Sequence, residues 1–254
     1  MNIRLNKNKS IGKVLYVVEG GKTEPYLLHR IFCRIMDYQL ETILRNKVYR
    51  KYNSKENATS QVFVINAEES NIKYIDKDND FLNNLFVELI ENYDFNIDNA
   101  AIYYIFDRDN QSNRDSGFIR NLLSVLENSR DNAYTRQGML LLSYPSIEAF
   151  TFSNFVSESF EQGFPTGDAL KKYLNECKMN QNRIDENTVK HATAEMLLAI
   201  EKLGIRELDV DEFGESNLQI FEQQEELYEK NNLYKALSLL CVSLIDLGIL
   251  EIEE

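Results

Sequence analysis

The sequence is poor in the residues that build disulfide frameworks, zinc sites and histidine-based catalytic sites. Its 254 residues include three cysteines, which lie far apart and lack CxxC spacing, and this pattern argues against both a disulfide framework and a zinc site. The two histidines, His29 and His191, lie in different regions, so a histidine-rich metal site or a Ser-His-Asp triad has little to draw on. The few cysteines fit a reducing compartment instead.

A long apolar run is also missing from the start of the chain. Residues 1–10 are polar and basic, and no stretch behind them is long enough for a signal peptide or a membrane span. We therefore predict a soluble protein of the cytoplasm. The hydrophobic fraction of 43% is ample for a packed core, and the length corresponds to one large or two small domains.

The net charge of −13 disfavours nucleic acid as a partner, but the charge is unevenly distributed. Residues 1–60 hold 12 Lys and Arg against 5 Asp and Glu, whereas residues 61–254 hold 16 against 36. Basic residues within 45–60 alternate with two tyrosines, and cations beside aromatic rings suit phosphate neutralisation and base stacking. The alternative is a solvated basic loop. The predicted nucleic-acid-binding residues are Lys22, Arg45, Lys47, Arg50 and Lys51.

Short apolar runs bounded by turn residues predict four buried strands, at 14–18, 61–66, 100–106 and 139–143. Helical spacing follows these strands at 25–37 (with a possible extension to 44), 81–90, 115–128 and 146–155. Strands that alternate with helices of this length indicate βαβ units. The predicted fold class is therefore α/β, with a parallel sheet of about four strands flanked by helices.

The C-terminal part of the sequence predicts helices at 168–177, 187–203 and 217–247, and no strand beyond residue 155. Two regions follow from this pattern: a domain at 1–155, with a basic insertion loop at 45–60, and a helical C-terminal lobe at 156–254. Nine acidic residues and no basic one lie between Glu207 and Glu229. Such a run is typical of a solvated face, and a docking surface for a partner is the alternative.

Carboxylates follow the predicted strands closely. Glu19 comes directly after the first strand, Asp107 and Asp109 come after the third, and Glu148 follows the fourth, while Glu24 lies just beyond a Gly-Gly turn. The carboxyl ends of strands in open α/β sheets form the ligand crevice. Acidic side chains that converge there repel one another unless a divalent cation lies among them. The pattern predicts a site for Mg²⁺ (or Mn²⁺), which in phosphoryl chemistry activates water and stabilises charge on oxygen.

Three stretches in this order, VEGGKTEPYL, IFDRDN and SYPSIEAF, resemble the signature of a TOPRIM domain, in particular that of RloB-like and overcoming-lysogenization-defect (OLD) nucleases. The resemblance covers about residues 11–155 and implies a TOPRIM (Rossmann-like) fold. It implies that Asp107 and Asp109 are the metal-binding DxD and that Glu19 is the general acid/base or a metal ligand. Glu24 matches the second glutamate of the RloB-like EG-x-x-TE pattern.

The third motif departs from the family pattern. The family has an Asn-Pro-Ser-Phe-Glu stretch, and this sequence has Tyr144 in place of the asparagine. The departure weakens the assignment of a role to Glu148. OLD-type nucleases also use a lysine near the transition state. The candidates here are Lys171, Lys172 and Lys190.

The resemblance implies a Mg²⁺-dependent nuclease that cleaves or nicks DNA or RNA, often in anti-phage defence (abortive infection) beside a partner ATPase. Glu19, Glu24, Asp107 and Asp109 are the predicted metal ligands, and Glu148 is added to them as a catalytic residue. The acidic C-terminal half motivates an alternative, a non-catalytic sensor or docking subunit with the same fold. Primase or topoisomerase activity is disfavoured, because the chain lacks a zinc motif and the room for strand-passage domains.

Overall fold

The structure is a computed structural model that describes residues 2–44, 49–76, 80–97, 100–109, 113–130, 138–206 and 208–253. Its strands are β1 (Asn2–Leu5), β2 (Lys13–Val18), β3 (Gln39–Leu44), β4 (Tyr49–Asn53), β5 (Gln61–Asn66), β6 (Ala100–Asp107), β7 (Glu127–Asn128), β8 (Gly138–Tyr144), β9 (Gly163–Phe164), β10 (Tyr234–Lys235), β11 (Leu237–Ser238) and β12 (Leu250–Glu253). Its α-helices are α1 (Thr23–His29), α2 (Asp80–Tyr93), α3 (Ser116–Leu123), α4 (Glu148–Ser153), α5 (Gly167–Glu176), α6 (Glu186–Lys202), α7 (Phe213–Asn231) and α8 (Leu240–Asp246).

The fold is mixed α/β, built on one large mixed sheet flanked by helices. Seven strands follow the order β11-β8-β6-β2-β5-β4-β3, and β7 pairs with the first two residues of β8. The central strands β8, β6, β2 and β5 are parallel, and every residue of β8 is buried, as is nearly every residue of the other three. Both faces of these strands are covered, which explains why they consist of continuous apolar runs. Their carboxyl ends therefore meet at one edge of the sheet.

The predicted sheet was too small. The four predicted strands form its parallel centre, but antiparallel pairs extend the sheet on both sides, through β4 and β3 beyond β5 and through β7 and β11 beside β8. These added strands lack the long apolar runs from which the central strands were predicted. The sheet is consequently mixed, rather than a parallel sheet of about four strands.

The predictions for residues 25–60 were partly wrong. A helix does begin in this region, but α1 continues as a π-helical segment only to Ile35, and residues 39–44 form β3 rather than an extension of the helix. Residues 49–53 form β4 rather than a loop, while residues 45–48 lie outside the described part of the chain. Tyr52 is completely buried, and its ring centroid lies 6.1 Å from that of Phe32. The tyrosines interpreted as base-stacking residues therefore belong to the core.

The C-terminal predictions were also partly wrong. The helix predicted at 217–247 is two helices, because Asn232 takes a left-handed conformation (φ 57°) that ends α7, and β10 and β11 follow before α8. Strands beyond residue 155 are thus present, in pieces of two to four residues. Among the described residues, side chains cap three α-helices: Asp115 caps α3, Thr166 caps α5 and Asp185 caps α6.

The two predicted regions share contacts throughout the core. β1 pairs with β12, β11 extends the main sheet through β8, and apolar residues of both regions form one buried cluster. The predicted boundary at residue 155 stays a prediction. Among the described residues, no helix has the length and apolarity needed to cross a membrane.

The burial of Tyr52 leads to a prediction about stability. Replacing Tyr52 with alanine should lower the free energy of unfolding by about 3–5 kcal/mol, because a large cavity would remain against Phe32. Urea denaturation measures this change. As a control, Lys55→Ala, at an exposed residue beyond the same strand, should change the free energy of unfolding by less than about 0.5 kcal/mol. Unchanged stability in Tyr52→Ala, together with lost nucleic-acid binding, would restore the base-stacking interpretation.

Candidate metal centre

Two predicted site residues lie at the ends of adjacent parallel strands. Glu19 follows β2, and Asp107 is the last residue of β6, so the pairing of β2 with β6 brings them together. The Glu19 backbone N–H donates to the Ile105 carbonyl at 3.0 Å. In the other direction, the Asp107 backbone N–H donates to Oε2 of the Glu19 side chain at 2.8 Å. The first carboxylate is therefore held across the ends of two strands.

The loop after β8 and the start of α5 hold three carboxylates, those of Asp107, Glu148 and Asp109. Oδ1 of Asp107 accepts a hydrogen bond from the Ile147 backbone N–H at 2.8 Å, just before Glu148 at the start of α4. Oε2 of Glu148 accepts from the Ser146 hydroxyl at 2.9 Å. Asp109 reaches towards α5, where its Oδ2 accepts from the Gly167 backbone N–H at 2.8 Å. Backbone donors thus orient both aspartates of the DxD.

Glu24 is placed by the glycine turn before α1. Its Oε1 accepts from the Gly20 backbone N–H at 2.9 Å, so this N–H is used within the protein. A Cβ atom at Gly20 would overlap the Glu24 carboxylate, with Oε1 2.9 Å away. A side chain at position 20 would therefore displace the Glu24 carboxylate from its present place.

The five predicted carboxylates line one cleft of about 270 Å³ at the carboxyl edge of the sheet. Other lining residues come from the loop at residue 70, the β8–α4 loop and α5. Lys171 on α5 is the cationic residue among the described lining, and the sequence had left it as one of three equal candidates. The other two candidates do not line this cleft. Nζ of Lys172 lies 4.0 Å from Oε1 of Glu176, and Nζ of Lys190 lies 2.8 Å from Oε1 of Glu186.

Burial and mutual repulsion raise the pKa of several carboxylates in the cleft. Burial raises the pKa of Glu19 to about 7; the negative charge of Glu24 adds to the rise, and the hydrogen bond from Asp107 opposes it. Burial raises the pKa of Asp107 well above its ordinary value, and the charges of Glu19, Glu24 and Glu148 raise it further. Burial also raises the pKa of Glu24, against which the positive charge of Lys171 acts. The cleft therefore resists full ionisation in the absence of a cation.

The chemistry of the donor set fits a hard divalent cation. The five predicted site residues offer carboxylate oxygens, which Mg²⁺ and Mn²⁺ prefer over nitrogen or sulfur ligands. Within the described part of the chain, however, no three acidic, histidine or cysteine side chains stand close enough around one point to hold a metal ion. Binding of an ion would therefore require carboxylates to move closer together.

The predicted nucleic-acid-binding residues that the structure describes come from the start of α1 and from β4. Lys22 is exposed at the start of α1, beside the cleft. Nη1 of Arg50 donates to the Pro25 carbonyl at 2.7 Å, and Nζ of Lys51 pairs with Glu41 at 2.9 Å. Arg45 and Lys47 lie outside the described residues. Two of the five predicted residues thus use their charge within the protein.

Two supporting residues of the DxD were not predicted. The Asn113 side chain donates to the Asp107 carbonyl at 3.0 Å and also hydrogen-bonds to Glu19. Arg108, between the two aspartates, is 1% exposed and directs its guanidinium away from the cleft to Glu225 on α7, at 2.5 Å. The position of Arg108 between the two aspartates places it at the end of the strand. Its partner Glu225 is 117 residues away, so this ion pair could not be predicted from the spacing of residues.

The guanidinium of Arg108 is also enclosed by aromatic rings. It lies 5.6 Å from the ring centroids of Phe221 and Tyr234, and the Tyr234 hydroxyl donates to Glu225 at 3.1 Å. A buried charge is tolerated when it is paired and hydrogen-bonded in this way. The end of β6 is thereby fixed to the C-terminal part of the chain.

The chain matches no protein-family model, no curated protein and no solved structure. The TOPRIM resemblance therefore stays a prediction that depends on the three motifs.

The raised pKa of Glu19 leads to a prediction about stability and pH. Because its pKa is 4.5 ordinarily and about 7 in the fold, Glu19 contributes stability below pH 4.5 that is lost as the pH rises through 7. We expect the free energy of unfolding of the wild type to fall relative to that of Glu19→Gln by on the order of 2 kcal/mol between pH 5 and pH 8 without metal. Urea denaturation at both pH values measures this difference.

The matched control is Glu229→Gln, at an exposed position on α7, which should retain the pH dependence of the wild type. Parallel curves for the wild type and Glu19→Gln across this range would mean that burial of Glu19 has no such cost.

Proposed function

We propose that this chain is a metal-dependent phosphodiesterase of the TOPRIM type, which cleaves the backbone of a nucleic acid. The observation that carries the proposal is the convergence of Glu19, Glu24, Asp107, Asp109 and Glu148 in one cleft at the carboxyl edge of the sheet. These residues come from three strand ends that are far apart in sequence. A purely structural role does not explain why the fold collects so much negative charge in one place at the cost of burial.

A bound Mg²⁺ would supply positive charge to the phosphate oxygens and lower the pKa of a bound water. Asp107 and Asp109 are the proposed primary ligands, with Glu24 and Glu148 beside them. Glu19 has a pKa near 7 through burial, which suits a group that takes a proton from an attacking water at neutral pH. The Lys171 ammonium faces the same cleft and would contact a non-bridging phosphate oxygen.

Hydrogen bonds to the backbone hold the two aspartates of the DxD in the cleft. Asp107 accepts from the Ile147 N–H and Asp109 accepts from the Gly167 N–H, both at 2.8 Å, so the two aspartates are held by different elements, the β8–α4 loop and the start of α5. A Cβ atom at Gly167 would lie 3.3 Å from Oδ2 of Asp109 and 2.8 Å from the Ser146 side chain. The narrow fit at Gly167 supports the view that α5 is part of the site.

The second candidate is a sensor or docking subunit without catalysis. The absence of three ready metal ligands among the described residues favours it. It predicts that Mg²⁺ neither stabilises the protein nor supports cleavage. A role in anti-phage defence beside a partner ATPase, and a cytoplasmic location, stay predictions from the sequence.

The proposal predicts that the loss of one DxD carboxylate removes both metal binding and cleavage. Asp107→Asn keeps an oxygen that can accept from the Ile147 N–H but loses the charge. Its rate of Mg²⁺-dependent cleavage of plasmid, linear duplex, single strands or tRNA should fall at least about 100-fold. Mg²⁺ should raise the melting temperature of the wild type and leave that of Asp107→Asn unchanged.

Asp115→Asn provides the matched control, because an asparagine side chain could still cap α3 and the residue lies outside the carboxylate cleft. Cleavage by Asp107→Asn at the wild-type rate would contradict the assignment. A wild type that Mg²⁺ does not stabilise, and that cleaves none of these substrates, would favour the docking subunit.

The two neighbouring lysines of α5 provide a second test. Lys171 lines the cleft, whereas Lys172 lies near Glu176 on the exposed side of the helix. Lys171→Ala should lower kcat by about 10²- to 10³-fold, because a cation facing developing negative charge contributes mainly in the transition state. Lys172→Ala should leave kcat within about twofold of the wild-type value. Equal rates for the two variants would remove Lys171 from the proposed mechanism.

A further inference from the structure

A second pocket, of about 250 Å³, adjoins the carboxylate cleft and shares Thr23, Glu148 and Lys171 with it. Three helices and the 3₁₀ segment Gln181–Arg183 form its walls. Residues spaced three or four apart line one side of a helix, and each helix uses this spacing here. The helical contributions are Thr23 and Tyr26 from α1, Glu148 and Thr151 from α4, and Lys171, Leu174 and Asn175 from α5.

The lining away from the shared rim is rich in amides. Asn175, Asn180, Gln181 and Asn182 line this part of the pocket together with Met179. Each amide side chain carries both donors and acceptors, and the edges of nucleobases present the same mixture. A free phosphate is a poorer fit, because Lys171 is the cationic residue among the described lining and Glu148 opposes it.

Tyr26 provides an aromatic surface at this pocket. It is 37% exposed, and its hydroxyl donates to Oδ1 of Asn182, which fixes the ring against the amide wall. Met179 adds a polarisable side chain to the same lining. Aromatic rings beside single-stranded nucleic acid typically stack on bases, since every base has a π-face.

Thr151 contributes a polar group that has no partner among the described residues. The residue is 1% exposed and lines the pocket, and its hydroxyl makes no hydrogen bond among the described residues. Buried hydroxyls in folded proteins are nearly always hydrogen-bonded. Its oxygen is closed to solvent in the present packing, so the side chain would have to turn towards the pocket to meet a ligand.

From these observations we propose that the pocket, called here the base pocket, receives one unpaired nucleobase whose phosphate lies in the carboxylate cleft. The proposal rests on the proposed function and names its substrate class: single-stranded nucleic acid, or a nucleotide extruded from a duplex. The volume is below the roughly 300 Å³ at which pockets begin to accept drug-sized ligands, which suits a single base. A duplex would first have to be opened at that position.

Binding of a fluorescein-labelled 12-nucleotide single strand, as DNA and as RNA, tests the proposal. Fluorescence anisotropy is measured with Ca²⁺ in place of Mg²⁺, and gels confirm that the strand stays intact. Tyr26→Ala should weaken binding about 5- to 150-fold, which corresponds to the loss of one base–aromatic stack. Asn175→Ala, at an exposed position that the fold tolerates, should weaken it at least threefold. Lys172→Ala, on the same helix outside the pocket, should bind as the wild type does.

An abasic scan makes the test specific for a base. Strands with one abasic nucleotide, moved along the sequence, should reveal a position at which the wild type loses affinity and Tyr26→Ala loses no more. Three results would each overturn the base pocket: wild-type affinity in both Tyr26→Ala and Asn175→Ala, equal abasic penalties in the wild type and Tyr26→Ala at every position, or no preference of the wild type for single strands over a 12-base-pair duplex.

The outcome is separable from that for the nuclease. Failure of the base pocket leaves the Mg²⁺-dependent cleavage by the wild type, and its loss in Asp107→Asn, unaffected. A wild type that binds single strands with the expected abasic pattern but never cleaves would contradict the nuclease and retain the pocket.

Discussion

Repulsion among buried carboxylates is the constraint on which the rest of this structure depends. The ends of β2 and β6 and the starts of α1 and α4 place acidic groups beside one another, partly out of water, where each raises the free energy of ionising the next. Hydrogen bonds from the N–H groups of Gly20, Asp107, Ile147 and Gly167 offset part of this cost. The backbone at these strand ends and helix starts is therefore tied to the carboxylates through hydrogen bonds.

The C-terminal part of the chain supports the site at two places. From behind, Glu225 and Tyr234 enclose the Arg108 guanidinium and fix the end of β6. In front, α5 contributes the Gly167 N–H and the Lys171 ammonium to the cleft. Residues beyond 155 therefore do more than cover a finished domain, since the carboxylate cleft and the base pocket both need α5 as a wall.

Sequence reasoning was effective where a residue's environment is determined locally. The four buried strands were predicted because both of their faces are apolar, and the carboxylates were grouped because parallel strands end on one edge. β4 was missed because Arg50 and Lys51 separate its buried tyrosines and imitate a basic loop. A strand of two residues, such as β11, is too short to show a periodic pattern and could not be predicted. Which of the three lysines lines the cleft depends on how α5 packs, so Lys171 could not be selected from the sequence.

The pairing of β1 with β12 has a consequence for how the protein folds during synthesis. Asn2 pairs with Glu253, residues separated by 251 positions, so this contact closes nearly the whole chain into a ring. Closing such a long loop carries a large entropic cost unless the intervening chain is already ordered. We expect β1 to remain without its partner on the ribosome until residues 250–253 emerge, which makes this two-stranded sheet one of the last parts of the fold to form.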